Sequence, residues 1–360
     1  MQLRVPGPTP CPEEVLNAMT RQMVNHRGKE FGELLERATE QLKRVFQTKN
    51  DMLILTGSGT GGLEAAVVNT LSPGDRVLAV SIGAFGDRFG DIAAAFGAQV
   101  TRLGFEWGTA ADPEALRRAL KADPSISAVL VTHNETSTGV TNDLASIAAV
   151  VRESGPLLLV DGVSSVGSIN LPVDEWGCDV VATGSQKGWM APPGLAMVSV
   201  SQKAWAAFDK AKMPRFYWDF GKARRFLNEK KQNPWTPAVS VLYGLAVGLD
   251  MMEKETLQGV FARHAGVSQV ARDGVKSLGL SLFADEAHAS NTVTAVKIPE
   301  GVNGKKLLQV LREEHGVVLA GGQQKLDGKI FRIGHLGWVE EEDMREVLRA
   351  LEAALPRARG

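Results

Sequence analysis

The chain has 360 residues, of which 44% are hydrophobic and 22% charged, a balance typical of a soluble globular protein of one large or two smaller domains. Its formal net charge of −1 argues against a surface field strong enough to bind nucleic acid or membranes, and its two cysteines, Cys11 and Cys178, argue against a disulfide framework. We find neither a secretory signal nor an apolar stretch of about 18 residues, so we expect a cytoplasmic protein without a spanning helix.

The first residues predict an extended arm that leads into a helix. Three prolines lie within residues 1–10, and proline fixes φ and donates no hydrogen bond. A helix is expected to begin at residues 12–14 (PEE), because proline and acidic residues favour a first helical turn. We place the arm at residues 1–14.

Strands and helices alternate from about residue 52. The predicted strands are 52–56, 76–80, 100–103, 126–132, 157–161 and 196–200, and the predicted helices are 59–71, 85–96, 113–121 and 143–153. Such an order predicts an α/β fold with a mostly parallel sheet covered by helices on both faces.

The pattern changes after about residue 210. Residues 215–233 are basic and aromatic without clear periodicity. Helices are predicted at 238–253, onward to about 278, at 304–314 and at 341–355, with strands at 292–298 and 330–333. We therefore predict a large domain over residues 15–252 and a smaller α+β domain over residues 253–360.

A lysine and a carboxylate follow two of the predicted apolar strands. Lys187 lies in segment 183–188 (TGSQKG), and Asp161 ends the run LLLV of residues 157–160. A lysine in this position can hold an aldehyde cofactor as an imine, and the carboxylate can pair with a protonated ring nitrogen. The alternative is a solvated loop lysine and a helix-capping aspartate.

A glycine-rich turn, residues 56–62 (TGSGTGG), follows the strand at 52–56 and begins a helix. Free N–H groups at such a helix start attract phosphate, and glycines let the phosphate approach. The spacing also fits the dinucleotide signature G-x-G-x-x-G, although the next strand ends without the ribose-binding carboxylate. A turn that serves only packing is the third alternative.

Further polar or planar side chains follow neighbouring strands. Phe85 could stack on a planar ring or belong to the core, and segment 133–139 (HNETSTG) follows the strand at 126–132. Because open α/β sheets bind ligands at the carboxyl ends of their strands, we expect these clusters to converge on one site. Arg332 lies within an apolar strand and needs an anionic partner, either a substrate carboxylate or a structural acid.

Several enzyme classes lack their signatures in this sequence. The six histidines are scattered, so no pair suits a zinc ion on one helix, and we expect no metal. Neither the G-x-S-x-G elbow of α/β-hydrolases nor the G-K-[ST] of a P-loop occurs.

Taken together, these segments resemble the class V aminotransferases, which are fold-type-I pyridoxal-phosphate enzymes with a large mostly parallel domain and a smaller α+β domain. The resemblance covers essentially the full length and is greatest to the alanine–glyoxylate and serine–pyruvate (serine–glyoxylate) aminotransferases. The segments that carry it are 57–60 (GSGT), 135–139 (ETSTG), 161–165 (DGVSS), 185–187 (SQK) with 191–194 (APPG), and 332–334 (RIG).

The resemblance implies a role for each matching residue. Lys187 would form the imine with pyridoxal 5'-phosphate and carry the proton, and Asp161 would hold the pyridinium nitrogen. The remaining implied contacts are Val163 and Phe85 on the ring faces, Thr136 at the phenolic oxygen, Ser58, Gly59, Thr60 and Gln186 at the phosphate, and Arg332, Pro8 and Thr9 at the substrate.

The resemblance also implies a homodimer with its active site at the subunit interface. Thr236, in segment 233–237 (NPWTP), would reach the cofactor phosphate of the partner subunit. Relatives place a tyrosine a few residues earlier, where this chain has Asn233.

The resemblance therefore implies transamination between a small amino acid, alanine or serine, and a small 2-oxo acid, glyoxylate or pyruvate. An aspartate or aminophosphonate transaminase is the alternative within the fold, since Arg27, Arg224 or Arg225 could supply further positive charge. A desulfurase would need a mobile nucleophilic cysteine, which neither Cys11 nor Cys178 resembles. A nicotinamide-dependent oxidoreductase and a non-catalytic binding protein are the alternatives outside this chemistry.

Overall fold

The computed structural model describes residues 1–359 of the chain. The strands are β1 (Gln2–Leu3), β2 (Asp51–Gly57), β3 (Arg76–Ser81), β4 (Gln99–Gly104), β5 (Ile126–Thr132), β6 (Asn134–Glu135), β7 (Val140–Thr141), β8 (Leu157–Asp161), β9 (Val180–Gly184), β10 (Gly194–Val200), β11 (Val293–Lys297), β12 (Val317–Val318), β13 (Ala320–Gly321) and β14 (Ile330–Gly334). The α-helices are α1 (Glu13–Met19), α2 (Lys29–Phe46), α3 (Gly59–Thr70), α4 (Ala84–Ala95), α5 (Pro113–Ala122), α6 (Leu144–Ser154), α7 (Val173–Trp176), α8 (Gln202–Phe208), α9 (Phe220–Lys230), α10 (Val239–Glu255), α11 (Leu257–Ser277), α12 (Gly304–His315) and α13 (Glu341–Ala354).

Seven strands form the central sheet, in the order β2-β10-β9-β8-β5-β3-β4. All neighbours are parallel except β10, which is antiparallel to both β2 and β9. The prediction of an α/β fold with a mostly parallel sheet is confirmed.

Both faces of this sheet are covered by apolar side chains. Along β8, Leu158 and Val160 belong to one apolar cluster, whereas Leu157 and Leu159 belong to a second. Successive side chains of a strand point to opposite faces, so the run LLLV is apolar throughout because it is buried on both sides.

Four helices, α2, α7, α8 and α9, lie outside the predicted elements. α2 buries the regularly spaced Phe31, Leu35 and Leu42, a helical period that the prediction missed. α9 falls in the segment without clear periodicity, and it buries only Phe220 and Ala223. Its start is instead fixed by Asp219, whose side chain accepts a hydrogen bond from the backbone of the third helical residue.

The C-terminal part contains a small antiparallel sheet of order β11-β14-β13. α11, α12 and α13 pack against it through an apolar cluster drawn from residues 267–358. The division into residues 1–14, 15–252 and 253–360 stays a prediction, which this separate cluster supports. Within residues 1–359, no helix is long and apolar enough to cross a membrane.

The N-terminal arm connects the two parts of the molecule. β1 pairs in parallel with β12, and the Gly334 N–H donates to the Arg4 carbonyl oxygen at 2.7 Å. Further along, the Thr9 N–H donates to the Gln186 carbonyl oxygen at 3.1 Å. The arm therefore crosses the loop that contains Lys187.

Candidate active site

The loops at the carboxyl ends of β3, β5, β8 and β9 meet at a cavity of about 330 Å3. The convergence predicted from the strand ends is therefore confirmed, as expected for an open α/β sheet. Nine of the predicted site residues line the cavity: Pro8, Gly59, Thr60, Phe85, Thr136, Asp161, Val163, Gln186 and Lys187.

Four other predicted residues lie outside the cavity lining. Ser58 is exposed, and its hydroxyl accepts a hydrogen bond from the Gly61 N–H at the start of α3. Thr9 is buried, and its hydroxyl donates to the Lys187 carbonyl oxygen at 3.1 Å. Arg332 donates a hydrogen bond to the carbonyl oxygen of Thr136, which lines the cavity, and Thr236 is exposed.

Asp161 is a buried carboxylate at the end of β8. Its Oδ1 accepts the Val163 N–H at 2.9 Å, and its Oδ2 lies 3.5 Å from the Thr132 hydroxyl. Burial raises the pKa of Asp161 to about 6, and the negative charge of Glu135 adds to the rise, while Lys187 opposes it. The carboxylate is thus placed to pair with a cationic group in the cavity.

Lys187 supplies the amine of the cavity. Its Nζ donates to the Pro6 carbonyl oxygen of the arm at 2.5 Å. Burial lowers the pKa of Lys187 from its ordinary 10.5 to about 8, although Asp161 acts in the opposite direction. A substantial fraction of this amine is therefore unprotonated, and hence nucleophilic, at mildly alkaline pH.

Glu135 fixes the position of Phe85. The fully buried Glu135 carboxylate accepts the N–H groups of Phe85 and Gly86, each at 3.0 Å, at the start of α4. Its other oxygen accepts the Ser137 N–H at 3.1 Å and the Ser137 hydroxyl at 2.6 Å. A charged acceptor at a helix N-terminus is favourable, so Glu135 anchors the turn from which Phe85 projects into the cavity.

The start of α3 forms another part of the cavity wall. The N–H groups of Gly59 and Thr60 donate no hydrogen bond within residues 1–359, and the buried Oε1 of Gln186 has no partner there. A side chain on Gly59 would collide with Val163, since its Cβ would lie 2.6 Å from the Val163 Cγ2. Unused donors at a helix N-terminus fit a phosphate group.

Arg332 is held by three acceptors. Its Nε donates to the Gly321 carbonyl oxygen at 2.8 Å, and its Nη1 donates to the Thr136 carbonyl oxygen at 3.1 Å and lies 3.4 Å from the Gln323 side-chain oxygen. Burial lowers the pKa of Arg332 to about 10, so the guanidinium stays charged at neutral pH. None of these partners is an acid that neutralises it.

The sequence-based prediction gave no role to six side chains that line the cavity: Leu63, Arg88, Asn134, Ser164, Pro193 and Gln323. Arg88 lies three residues after Phe85 on α4, and its guanidinium stacks 4.7 Å from the centre of the Phe85 ring. The i, i+3 spacing on a predicted helix is the signal that could have identified it. For Gln323 the only local signal is the glycine pair that precedes it, 321–322.

The cavity therefore has the groups that a planar, phosphorylated aldehyde would need. It offers an amine, a carboxylate, an aromatic ring, an aliphatic side chain and unused backbone donors. In the part of the chain that the structure describes, no group of three or more histidine, cysteine or acidic side chains could hold a metal ion.

Comparison with known proteins places this geometry in a family. The family model described as aminotransferase class-V matches residues 3–332. The soluble hydrogenase 42 kDa subunit of Anabaena cylindrica is 45% identical over 99% of this chain and 93% of its own length. The L-aspartate–glyoxylate aminotransferase of Paracoccus denitrificans is 40% identical over 92% and 85%, and the serine–glyoxylate aminotransferase of Methylorubrum extorquens is 38% identical over 98% and 90%.

Among solved structures, the alanine–glyoxylate aminotransferase of Nostoc sp. superposes with a TM-score of 0.95. It is 32% identical to this chain, and the match covers 98% of this chain and 94% of the Nostoc chain. The fold and the length are therefore shared along nearly the whole molecule.

Proposed function

This chain belongs to the class V aminotransferase family, and we propose that it uses pyridoxal 5'-phosphate to move an amino group between a small amino acid, alanine or serine, and a small 2-oxo acid, glyoxylate or pyruvate. The observation that carries this proposal is the placement of a low-pKa amine, Lys187, and a buried carboxylate, Asp161, in one cavity. Such a pair suits an enzyme that binds an aldehyde and removes a proton from carbon.

The unused groups of the cavity support the choice of cofactor. When bound, pyridoxal phosphate supplies an electrophilic carbon and a ring that delocalises negative charge. The N–H groups of Gly59 and Thr60, together with the side-chain NH2 of Gln186, which lines the cavity, would hold its phosphate. Phe85 and Val163 would bind its faces, and Thr136 would lie near its phenolic oxygen.

Lys187 and Asp161 would do the proton chemistry. Lys187 would attach the cofactor through Nζ and, once displaced by the amino substrate, would take the proton from the substrate Cα. The Pro6 carbonyl oxygen would orient the released amine, because it accepts a hydrogen bond from Nζ. Asp161 would keep the ring nitrogen protonated by charge pairing.

The substrate carboxylate would be bound by Arg332. Its guanidinium is buried, and the acceptors that hold it are neutral. A planar guanidinium binds a carboxylate through two parallel hydrogen bonds. Pro8 and Thr9 of the arm would close the site around the substrate.

The names of relatives support small substrates, since serine–glyoxylate and alanine–glyoxylate aminotransferases share the family and the length. One observation favours aspartate as a second candidate donor. Arg88 lines the cavity and forms no ion pair with an acid within residues 1–359, so it could bind a side-chain carboxylate. The Paracoccus relative carries the name of an aspartate–glyoxylate enzyme.

We also propose a homodimer in which Thr236 reaches the partner's cofactor phosphate. Phe216 is 67% exposed and stacks on Trp235, the neighbour of Thr236, with ring centres 5.0 Å apart. Tyr217, also exposed, extends this aromatic surface. A second subunit would remove these rings from water. In sedimentation, Phe216→Asp should shift the dimer to monomer, and Lys305→Asp, at an exposed position of α12, is the matched control.

Two free thiols, Cys11 and Cys178, support the proposal of a cytoplasmic location.

The function is tested by spectroscopy and a donor panel. The purified chain loaded with pyridoxal phosphate should show an absorbance band near the visible edge that borohydride abolishes. Alanine and serine should then react with glyoxylate or pyruvate faster than aspartate reacts with 2-oxoglutarate.

Equal or faster turnover of aspartate would instead establish the second candidate. Absence of the band together with nicotinamide binding would refute the proposal. Hydrogen evolution from a reduced viologen, without amino transfer, would favour the activity named for the Anabaena relative.

A further inference from the structure

Gln323 lines the cavity next to the substrate arginine. It follows the glycine pair 321–322 at the end of β13 and is half-buried. Its side-chain oxygen lies 3.4 Å from Nη1 of Arg332. The structure thus places an amide beside the guanidinium that we assign to the substrate carboxylate.

The chemistry of arginine fixes how this amide is oriented. A guanidinium has only donors, so the amide oxygen of Gln323 must face Arg332 and the amide NH2 must face away from it. Nε2 of Gln323 donates no hydrogen bond within residues 1–359. A side chain on the cavity wall therefore offers two unused N–H groups.

Arg332 itself has little freedom to move. The carbonyl oxygens of Gly321 and Thr136 accept from Nε and Nη1 at 2.8 and 3.1 Å. Its other terminal nitrogen, Nη2, makes no hydrogen bond in the described part of the chain. Two adjacent side chains, the charged Arg332 and the neutral Gln323, thus each keep a nitrogen donor that has no hydrogen-bond partner.

We propose that Gln323 donates a hydrogen bond from Nε2 to the substrate α-carboxylate, next to Arg332, and so is a second carboxylate-binding residue of the site. This inference rests on the proposed function. A neutral donor adds a hydrogen bond without placing another positive charge near Lys187. Arg332 and Arg88 already lower the pKa of that amine, and a third cation would lower it further.

The direct test is the binding of propionate, an unreactive carboxylate, to the cofactor-loaded protein by calorimetry. Gln323→Leu keeps the approximate volume and removes the donor, so the Kd for propionate should rise about tenfold. The matched control is Gln324→Leu, because Gln324 is exposed and outside the cavity lining. An unchanged Kd in Gln323→Leu would overturn the proposal.

A second variant guards against damage to the loop. Gln323→Glu keeps the length and the contact with Arg332 but loses the donor and adds a negative charge, so propionate should bind at least as weakly as it does to Gln323→Leu. If Gln323→Glu bound propionate as tightly as the wild type does, the proposed role of Gln323 as a donor would be contradicted, irrespective of the Kd measured for Gln323→Leu.

Steady-state kinetics distinguishes weaker substrate binding from a general disruption of the active site. Because the carboxylate contact is the same in the ground state and the transition state, Gln323→Leu should raise the KM for alanine about tenfold and leave kcat within about twofold. A fall in kcat with unchanged KM would contradict the proposal. The propionate measurement needs no turnover, so a wild type that transfers no amino group would reject the proposed function while the Kd comparison still decides the role of Gln323.

Discussion

Two parts of the site, the carboxylate end and the glycine end, differ in how many of their hydrogen-bonding groups find a partner within a single chain. At the carboxylate end, formed by Asp161, Lys187, Glu135 and Phe85, buried carboxylates accept hydrogen bonds from backbone N–H groups of the same chain. At the glycine end, formed by Gly59, Thr60 and Gln186, the backbone N–H donors of Gly59 and Thr60 and the side-chain oxygen of Gln186 have no partners within residues 1–359.

This difference indicates what each end is for. Buried polar groups that are fully hydrogen-bonded rigidify a site, whereas unused donors are retained for a ligand. We therefore expect the carboxylate end to be preorganised by the fold, and the glycine end to be completed by phosphate and by a second subunit.

The largest expected effect is at the carboxylate end. Lys187→Ala should lower turnover by about 10³-fold or more, because it removes both the attaching amine and the proton carrier. Cofactor binding should persist, since the phosphate contacts are at the glycine end. Steady-state kinetics and equilibrium dialysis measure the two effects, with Lys305→Ala, at an exposed position of α12, as the control. Near-full activity would eliminate the assigned chemistry.

Glu135→Gln tests whether the carboxylate end is built by hydrogen bonds. The amide can replace only one of the two acceptor oxygens. Either the N–H groups of Phe85 and Gly86 or the N–H and hydroxyl of Ser137 therefore lose their acceptor. The free energy of unfolding should fall by about 2–3 kcal/mol, measured by urea titration. Exposed Glu300→Gln is the control. Equal stability of the two variants would show that the carboxylate is dispensable.

The charge of Lys187 gives the carboxylate end a pH signature in the cofactor-free protein. Its folded pKa is about 8 and its unfolded value 10.5, so between these pH values the unfolded chain binds the extra proton. The free energy of unfolding should therefore rise with pH across this window, by about 3 kcal/mol relative to Lys187→Met. Below pH 8 the full penalty of burial remains. A pH-independent difference between the two proteins would contradict the low pKa.

The smallest expected effect is at the glycine end. Thr236→Val should weaken cofactor binding about tenfold by removing one hydrogen bond to the phosphate, without changing the melting temperature of the cofactor-free protein. Ser58→Ala should instead lower the free energy of unfolding by about 1 kcal/mol, because the Ser58 hydroxyl caps α3. Fluorescence titration measures the affinity for the cofactor, and thermal melts measure the stability of the fold, so the two effects are measured separately. Unaltered affinity in Thr236→Val would argue against the contribution of the partner subunit.

Local sequence patterns predicted an element correctly where a single physical rule, such as burial of a strand on both faces, was sufficient to identify it. The run LLLV of residues 157–160 is apolar because it is buried on both faces, and the strand bounds agree with the prediction. α9 was missed because a capping aspartate and two buried residues are a weak signal in a charged segment. The period of α2, in contrast, was readable from its buried face.

By itself, the sequence determined the order of strands and helices and the convergence of Asp161 and Lys187 at the strand ends, because periodicity and topology are local or follow from a parallel sheet. The tertiary structure decided that Pro6 of the arm contacts Lys187, that Glu135 holds Phe85 and that Gln323 lies against Arg332. These contacts join residues far apart in the chain, or depend on side-chain orientation, and no short-range pattern encodes either.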